Sequence, residues 1–158
     1  MDDLVKEIYR MIESVSETLG RKLTSCKEIK IEDSKHYSHD QPKKLEKGYA
    51  AVYSFIDKNG KFLKIGKANE KSQARYVSQH YGFSAPSTLA KSICNDKQMQ
   101  EHGAKEEEIK EWILNNTRRI NILIKCDNSE DNRWATDLIE AIMHYKFEPK
   151  YEGKNANL

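Results

Sequence analysis

A chain of 158 residues with 37% hydrophobic and 33% charged side chains can bury one core and exposes much solvated surface, so one compact unit is expected rather than several. A mean hydropathy of -0.86 and the lack of any apolar run of spanning length exclude a membrane protein built on helices. The net charge of +2 decides little, but its distribution does: nine Lys or Arg against three acids lie between Pro42 and Arg75, and five acids against two lysines between Glu101 and Glu111. A field polarised in this way favours a polyanion on one side.

Leu4, Ile8, Met11, Ile12, Val15 and Leu19 recur at helical steps and predict an amphipathic helix that stops at Gly20. It serves either to cover the domain or to pair with another chain. Its acids make it unlike a signal peptide, so a cytoplasmic protein is expected, with no membrane among its partners. Cys26, Cys94 and Cys126 form no metal-binding pattern and are expected as reduced thiols. Residues 21 to 47 read as a polar loop with one alternating run, Ile29-Lys30-Ile31. His36, His39 and Asp40 lie close enough in sequence to ligate a metal, although a loop is the simpler reading.

Two runs rich in β-branched and aromatic residues, Ala50 to Ile56 and Phe62 to Ala68, flank Asp57-Lys58-Asn59-Gly60 and predict a hairpin. A helix follows from Glu70 to Tyr81, carrying Arg75 and His80 and ending at Gly82. The segment 84–116 then supplies two more helices, the first with Leu89 and Ile93 inward and the second, Ala104 to Asn115, burying Ile109, Trp112 and Ile113. Arg119 to Lys125 is a mostly apolar strand, expected in the centre and paired with the hairpin. The last helix reaches Tyr145, with Ser129 and Asp131 as caps and Trp134, Leu138, Ala141, Ile142 and Tyr145 as its inward stripe. The expected fold is therefore α/β (α+β): a small, three-stranded, mostly antiparallel sheet flanked by helices, with an N-terminal helical extension. Residues 1–47 would form that extension and a polar linker, and 48–158 the main domain with a helical insertion at 84–116.

Polar residues punctuate this pattern in a recognisable order. Ala51-Val52-Tyr53 in the first hairpin strand, Lys64-Ile65-Gly66 in the second, Arg75 on the following helix and Glu140 on the last one resemble the GIY-YIG nucleases. The likeness covers residues 50 to about 155. It departs from the family's pattern where Lys64 replaces the second tyrosine, a variant similar to restriction-enzyme-like and phage-associated branches. The resemblance implies a Mg²⁺-dependent (or Mn²⁺-dependent) DNA endonuclease, prokaryotic or phage-encoded. Tyr53 would be its general base, Lys64 an electrostatic partner or the base itself, and Arg75 the stabiliser of developing charge.

Glu140 would hold a single metal ion, since no second clustered carboxylate is evident and a two-metal site needs several. His80 could orient water or touch phosphate. Lys58, Lys61, Lys67 and Lys71 would position the DNA backbone without reading sequence, with Asn155 supporting from the tail. Tyr53 can accept a proton only if a nearby cation lowers a phenol whose ordinary pKa is about 10. One site per chain would suit a homodimer for cutting both strands. The rival readings are a catalytically inactive nucleic-acid-binding module of the same fold and a protein-interaction domain that uses the first helix.

Overall fold

The computed structural model describes residues 2–19 and 26–152. In chain order these form α1 (Asp3–Thr18), β1 (Cys26–Asp33), β2 (Tyr49–Ile56), β3 (Phe62–Ala68), α2 (Gln73–Val77), α3 (Leu89–Cys94), α4 (Lys97–Glu101), α5 (Ile109–Asn116), β4 (Arg118–Cys126) and α6 (Ser129–Phe147). The fold is α+β, as expected, but the sheet has four strands in the order β1-β4-β2-β3, all neighbours antiparallel. The additional strand is β1, which occupies part of the segment expected as loop. Ile29-Lys30-Ile31 was its visible trace, paired with Ile124, Leu123 and Ile122 of β4.

Successive strand residues face opposite sides of a sheet, and here the two sides carry different helices. On one side Val52, Ile56, Phe62, Ile65, Ile120, Ile122 and Ile124 meet Ile8 and Ile12 of α1 and Ala135, Ile139 and Met143 of α6. Burying side chains such as Ile8 and Ile12 contributes about 2 kcal/mol each, so α1 belongs to the core. Asp2 caps it by accepting from the Leu4 N–H at 2.9 Å. Arg118 ties its start to the sheet with two bonds to Asp33 at 2.8 Å and one contact to Asp2 at 3.0 Å. On the other side Ala51, Tyr53, Phe55, Leu63 and Ala68 meet the 70–116 helices through Tyr76, Tyr81, Leu89, Ile93 and Ile113.

The hairpin turns where expected. Gly60 takes φ +79°, and the Asp57 carboxylate accepts from the backbone N–H groups of Asn59 and Lys61. The helix expected from 70 to 81 is instead broken, with 3₁₀ turns at Glu70–Ser72 and Gln79–Tyr81 around the short α2. Asn128, not Ser129 or Asp131, caps α6. The inward stripe of α6 also differs: Ala135, Thr136, Ile139 and Met143 are buried, whereas Trp134 is 56% and Tyr145 90% exposed. The stripe that packs on the sheet lies one position along from the expected one, at Ala135, Ile139 and Met143. Trp112 is only half-buried. Cys94 is a free thiol, but Cys126 is disulfide-bonded, against the expectation of three reduced cysteines. Among the described residues no helix is long and apolar enough to cross a membrane.

Candidate active site

The site is built around Tyr53, whose register partner across the hairpin is Gly66. The phenol lies flat over that glycine: a Cβ added there would come within 2.6 Å of the Tyr53 Oη and 2.8 Å of Cζ. Gly66 is thus fixed by close approach, because any side chain would lift the ring. Tyr53 is 2% exposed, and its Oη lies 2.7 Å from His80 Nε2. The direction of this bond follows from the other imidazole nitrogen. Nδ1 accepts from the Leu89 N–H at 3.3 Å, an otherwise orphaned donor at the start of α3. A neutral ring that accepts at Nδ1 carries its proton on Nε2, so His80 donates to the Tyr53 oxygen. The hydroxyl proton of Tyr53 is left to point elsewhere.

Lys64 lies on the same face of β3, because a bulge between Phe55 and Ile56 places Leu63 and Lys64 together on the Tyr53 side. It is 7% exposed. Its Nζ is 3.1 Å from Oε1 of Glu152, an ion pair by distance although that oxygen has no partner in hydrogen-bond geometry. Glu152 arrives there because residues 150 and 151 run along the open edge of β3, donating to the carbonyls of Phe62 and Leu63 at 2.9 Å each. Tyr151 fastens this run by donating to Asp96 at 2.5 Å.

Arg75 is exposed on α2, and its charge reaches both Tyr53 and His80. Glu140 on α6 also lies within electrostatic reach of Tyr53. It faces Lys67, whose Nζ is 2.6 Å from Glu140 Oε2 and 3.1 Å from Asp137 Oδ1. His144 continues this flank, one turn on from Glu140, and bonds the Ile65 carbonyl at 3.2 Å.

Burial dominates the proton affinities. It pushes the His80 imidazole down to about 3, with Lys64, Arg119 and Arg75 adding repulsion for the charged form. It raises the Tyr53 phenol well above its ordinary value; Arg119 and Arg75 pull back, while Glu140 and Glu152 push further up. The expected lowering of the phenol by a cation is therefore outweighed in the resting protein by desolvation.

Tyr53, His80 and Lys64 thus come together on one face, with Arg75 within electrostatic reach and Glu140 on α6, the helix that covers the opposite face. The expected DNA-contacting lysines divide. Lys67 and Lys71 line a cavity of about 750 Å³ with Arg75, Asn132 and Arg133, next to the N-terminus of α6. Lys58 and Lys61 sit at the hairpin turn, bonded to Asn116 Oδ1 at 2.8 Å and the Glu148 carbonyl at 2.9 Å. Asn155 lies outside the described residues.

His36, His39 and Asp40 do not form a metal-binding group, and no cluster of three or more His, Cys, Asp or Glu suited to a metal occurs among the described residues. His39 instead packs against Phe55 and Tyr81. Sequence reading missed Glu152, Lys67 as the partner of Glu140, and Arg119. For Arg119 a signal existed: Arg119, Asn121 and Leu123 alternate with Ile120, Ile122 and Ile124, so a polar face was already written into β4. In comparisons with known proteins, no family model, no curated protein and no solved structure matches this chain.

Proposed function

We propose that this protein is a metal-dependent DNA endonuclease that hydrolyses phosphodiesters by direct attack of water. The observation that carries the reading is the Tyr53 phenol over Gly66, bonded to His80 and within reach of both Arg75 and Glu140. Tyr53 in its anionic form takes a proton from water at Oη while His80 Nε2–H steadies that oxygen. The hydroxide formed attacks phosphorus, the P–O bond to the leaving oxygen breaks, and that oxygen takes a proton from solvent. The exposed Arg75 fork suits the phosphoryl oxygens, where charge accumulates. Lys64, held by Glu152, adds positive charge on the Tyr53 side.

The acidic flank fits a hard cation. Glu140 and Asp137 converge on one ammonium, which marks a place where positive charge is favoured, and oxygen donors suit Mg²⁺ or Mn²⁺. Glu140 would hold the ion, and a bound ion there offsets negative charge on phosphate and leaving oxygen. The exposed Lys71 and the other lysines would hold the backbone.

One observation favours the rival, a DNA-binding module that does not cut: Lys67 already satisfies one oxygen of Glu140. Incubation with supercoiled plasmid and Mg²⁺ separates the two. Nicked and linear product is expected from the wild type, with Glu140→Gln and Arg75→Ala each slower by about 10²-fold or more. Equal nicking by all three rejects this catalytic site. DNA binding that survives a chelator, with no cleavage in Mg²⁺ or Mn²⁺, establishes the binding module instead.

A further inference from the structure

Next to Tyr53, on β4, stands a charge that packing alone does not require. Arg119 is 3% exposed. Its guanidinium carbon lies 4.9 Å from the ring centroids of Phe55 and Tyr76, 5.3 Å from that of Tyr53 and 6.0 Å from that of Tyr81. Its donors reach only neutral acceptors: Asn121 Oδ1 at 2.9 Å, Tyr81 Oη at 2.7 Å and the Tyr76 carbonyl at 2.8 Å. Among the described residues no carboxylate pairs with it. The adjacent Arg118 makes the contrast plain, for it is held by Asp33 and Asp2. Removing a guanidinium from water without an anion costs several kcal/mol, and a methionine or leucine would fill the space without that penalty. The four rings, whose faces are negative, recover part of the cost.

We propose that Arg119 is a positioning residue of the cleavage site, a buried cation that holds the Tyr53 phenol against His80 and favours the phenolate over the phenol. The inference rests on the nuclease reading above and adds to it the source of the charge that makes Tyr53 usable. Besides β4, four elements carry charged or titratable groups that bear on the phenol or on its partner His80. Residues 70–81 bring Arg75, Tyr76 and His80, β3 brings Lys64, the tail brings Glu152, and α6, on the opposite face of the sheet, brings Glu140. Burial and the two acids oppose ionisation of Tyr53, while Arg119 and the more exposed Arg75 assist it. Arg119 is the cation that solvent screens least.

The test replaces Tyr53 with a fluorotyrosine, whose more acidic phenol titrates within the folded range, and follows it by ¹⁹F NMR. Arg119→Met should weaken the ionisation constant about tenfold, while Arg119→Lys should hold it close to wild type. In plasmid cleavage by the chain with natural Tyr53, Arg119→Met should move the rise of rate with pH upward by a corresponding shift, with Arg119→Lys again close to wild type. Thermal unfolding of each variant identifies the folded ones, and Arg119→Gln serves as the neutral variant should Arg119→Met fail to fold. An unmoved ¹⁹F titration in a folded neutral variant overturns the proposal. A moved titration without cleavage by any variant retains the role of Arg119 as a tuning charge and removes the nuclease reading instead.

Discussion

The two faces of the sheet are made from the same four strands and have opposite chemistry. Beneath α1 and α6 the strands present Val52, Ile56, Ile65, Ile120, Ile122 and Ile124, with Phe62 at one end, a mostly aliphatic surface. Beneath the 70–116 helices they present Tyr53, Phe55, Lys64, Arg119 and Asn121, with His80 closing over them. Burial is as complete on the second face as on the first, so the difference is not exposure but what is buried. An aliphatic face gains only from area and fit. The ring-and-guanidinium face buries groups that cost free energy unless each finds a partner. The aliphatic face accepts that cost at few positions, chiefly Arg118, which Asp2 and Asp33 neutralise; the other face gathers a phenol, an imidazole, an ammonium and a guanidinium that pairs with no carboxylate among the described residues.

This contrast can be broken at several points. The largest expected effect is on the aliphatic face. Ile122→Ala should lower stability by about 3 kcal/mol, read from urea midpoints, while cleavage per folded molecule stays unchanged. A comparable loss of activity in the folded fraction would mean that the two faces are coupled. Gly66→Ala comes next, at about 3 kcal/mol or slightly less, since the new methyl group overlaps the Tyr53 ring at 2.6–3.0 Å. Adding Tyr53→Ala should recover part of that loss, because the three atoms nearest to the new methyl group all belong to Tyr53; simple additivity in the double variant would place the strain elsewhere.

The smallest effect sharpens the comparison through pH. The imidazole of His80 is held at about 3, chiefly by burial, whereas in the unfolded chain it titrates near about 6.5. Between those values the unfolded chain binds a proton that the folded one refuses. Stability from this group is thus complete above about pH 6.5 and falls, by up to about 1.4 kcal/mol per pH unit, as the pH drops toward 3. Urea unfolding at about pH 7 and about pH 5 should show a smaller loss for His80→Gln than for wild type. Equal losses would mean that His80 takes up its proton inside the fold. No residue of the aliphatic core cluster described above carries a side chain that titrates in this window, so substitutions there should leave the slope alone.

Much of this arrangement was legible in the chain. The hairpin was readable because Asn59-Gly60 and two β-rich runs need no distant partner to be recognised. Arg75, His80 and Glu140 stood out by type and spacing. What stayed hidden depended on contacts between residues far apart in sequence. β1 looked like loop because its pairing energy comes from β4, some ninety residues away. The inward stripe of α6 was misassigned because Trp134 and Tyr145 suggest burial, while the space above the sheet admits Ala135 and Ile139.

The sequence alone determined an α+β chain with a β-hairpin and an amphipathic first helix, because local propensity and hydrophobic period are written in neighbouring residues. Only the tertiary structure decided that His80 donates to Tyr53, that Lys67 meets Glu140, that Glu152 reaches Lys64 and that Arg119 is buried with no acid paired to it among the described residues. Those outcomes depend on which side chains share a low-dielectric space, and that is settled when the sheet closes and water leaves.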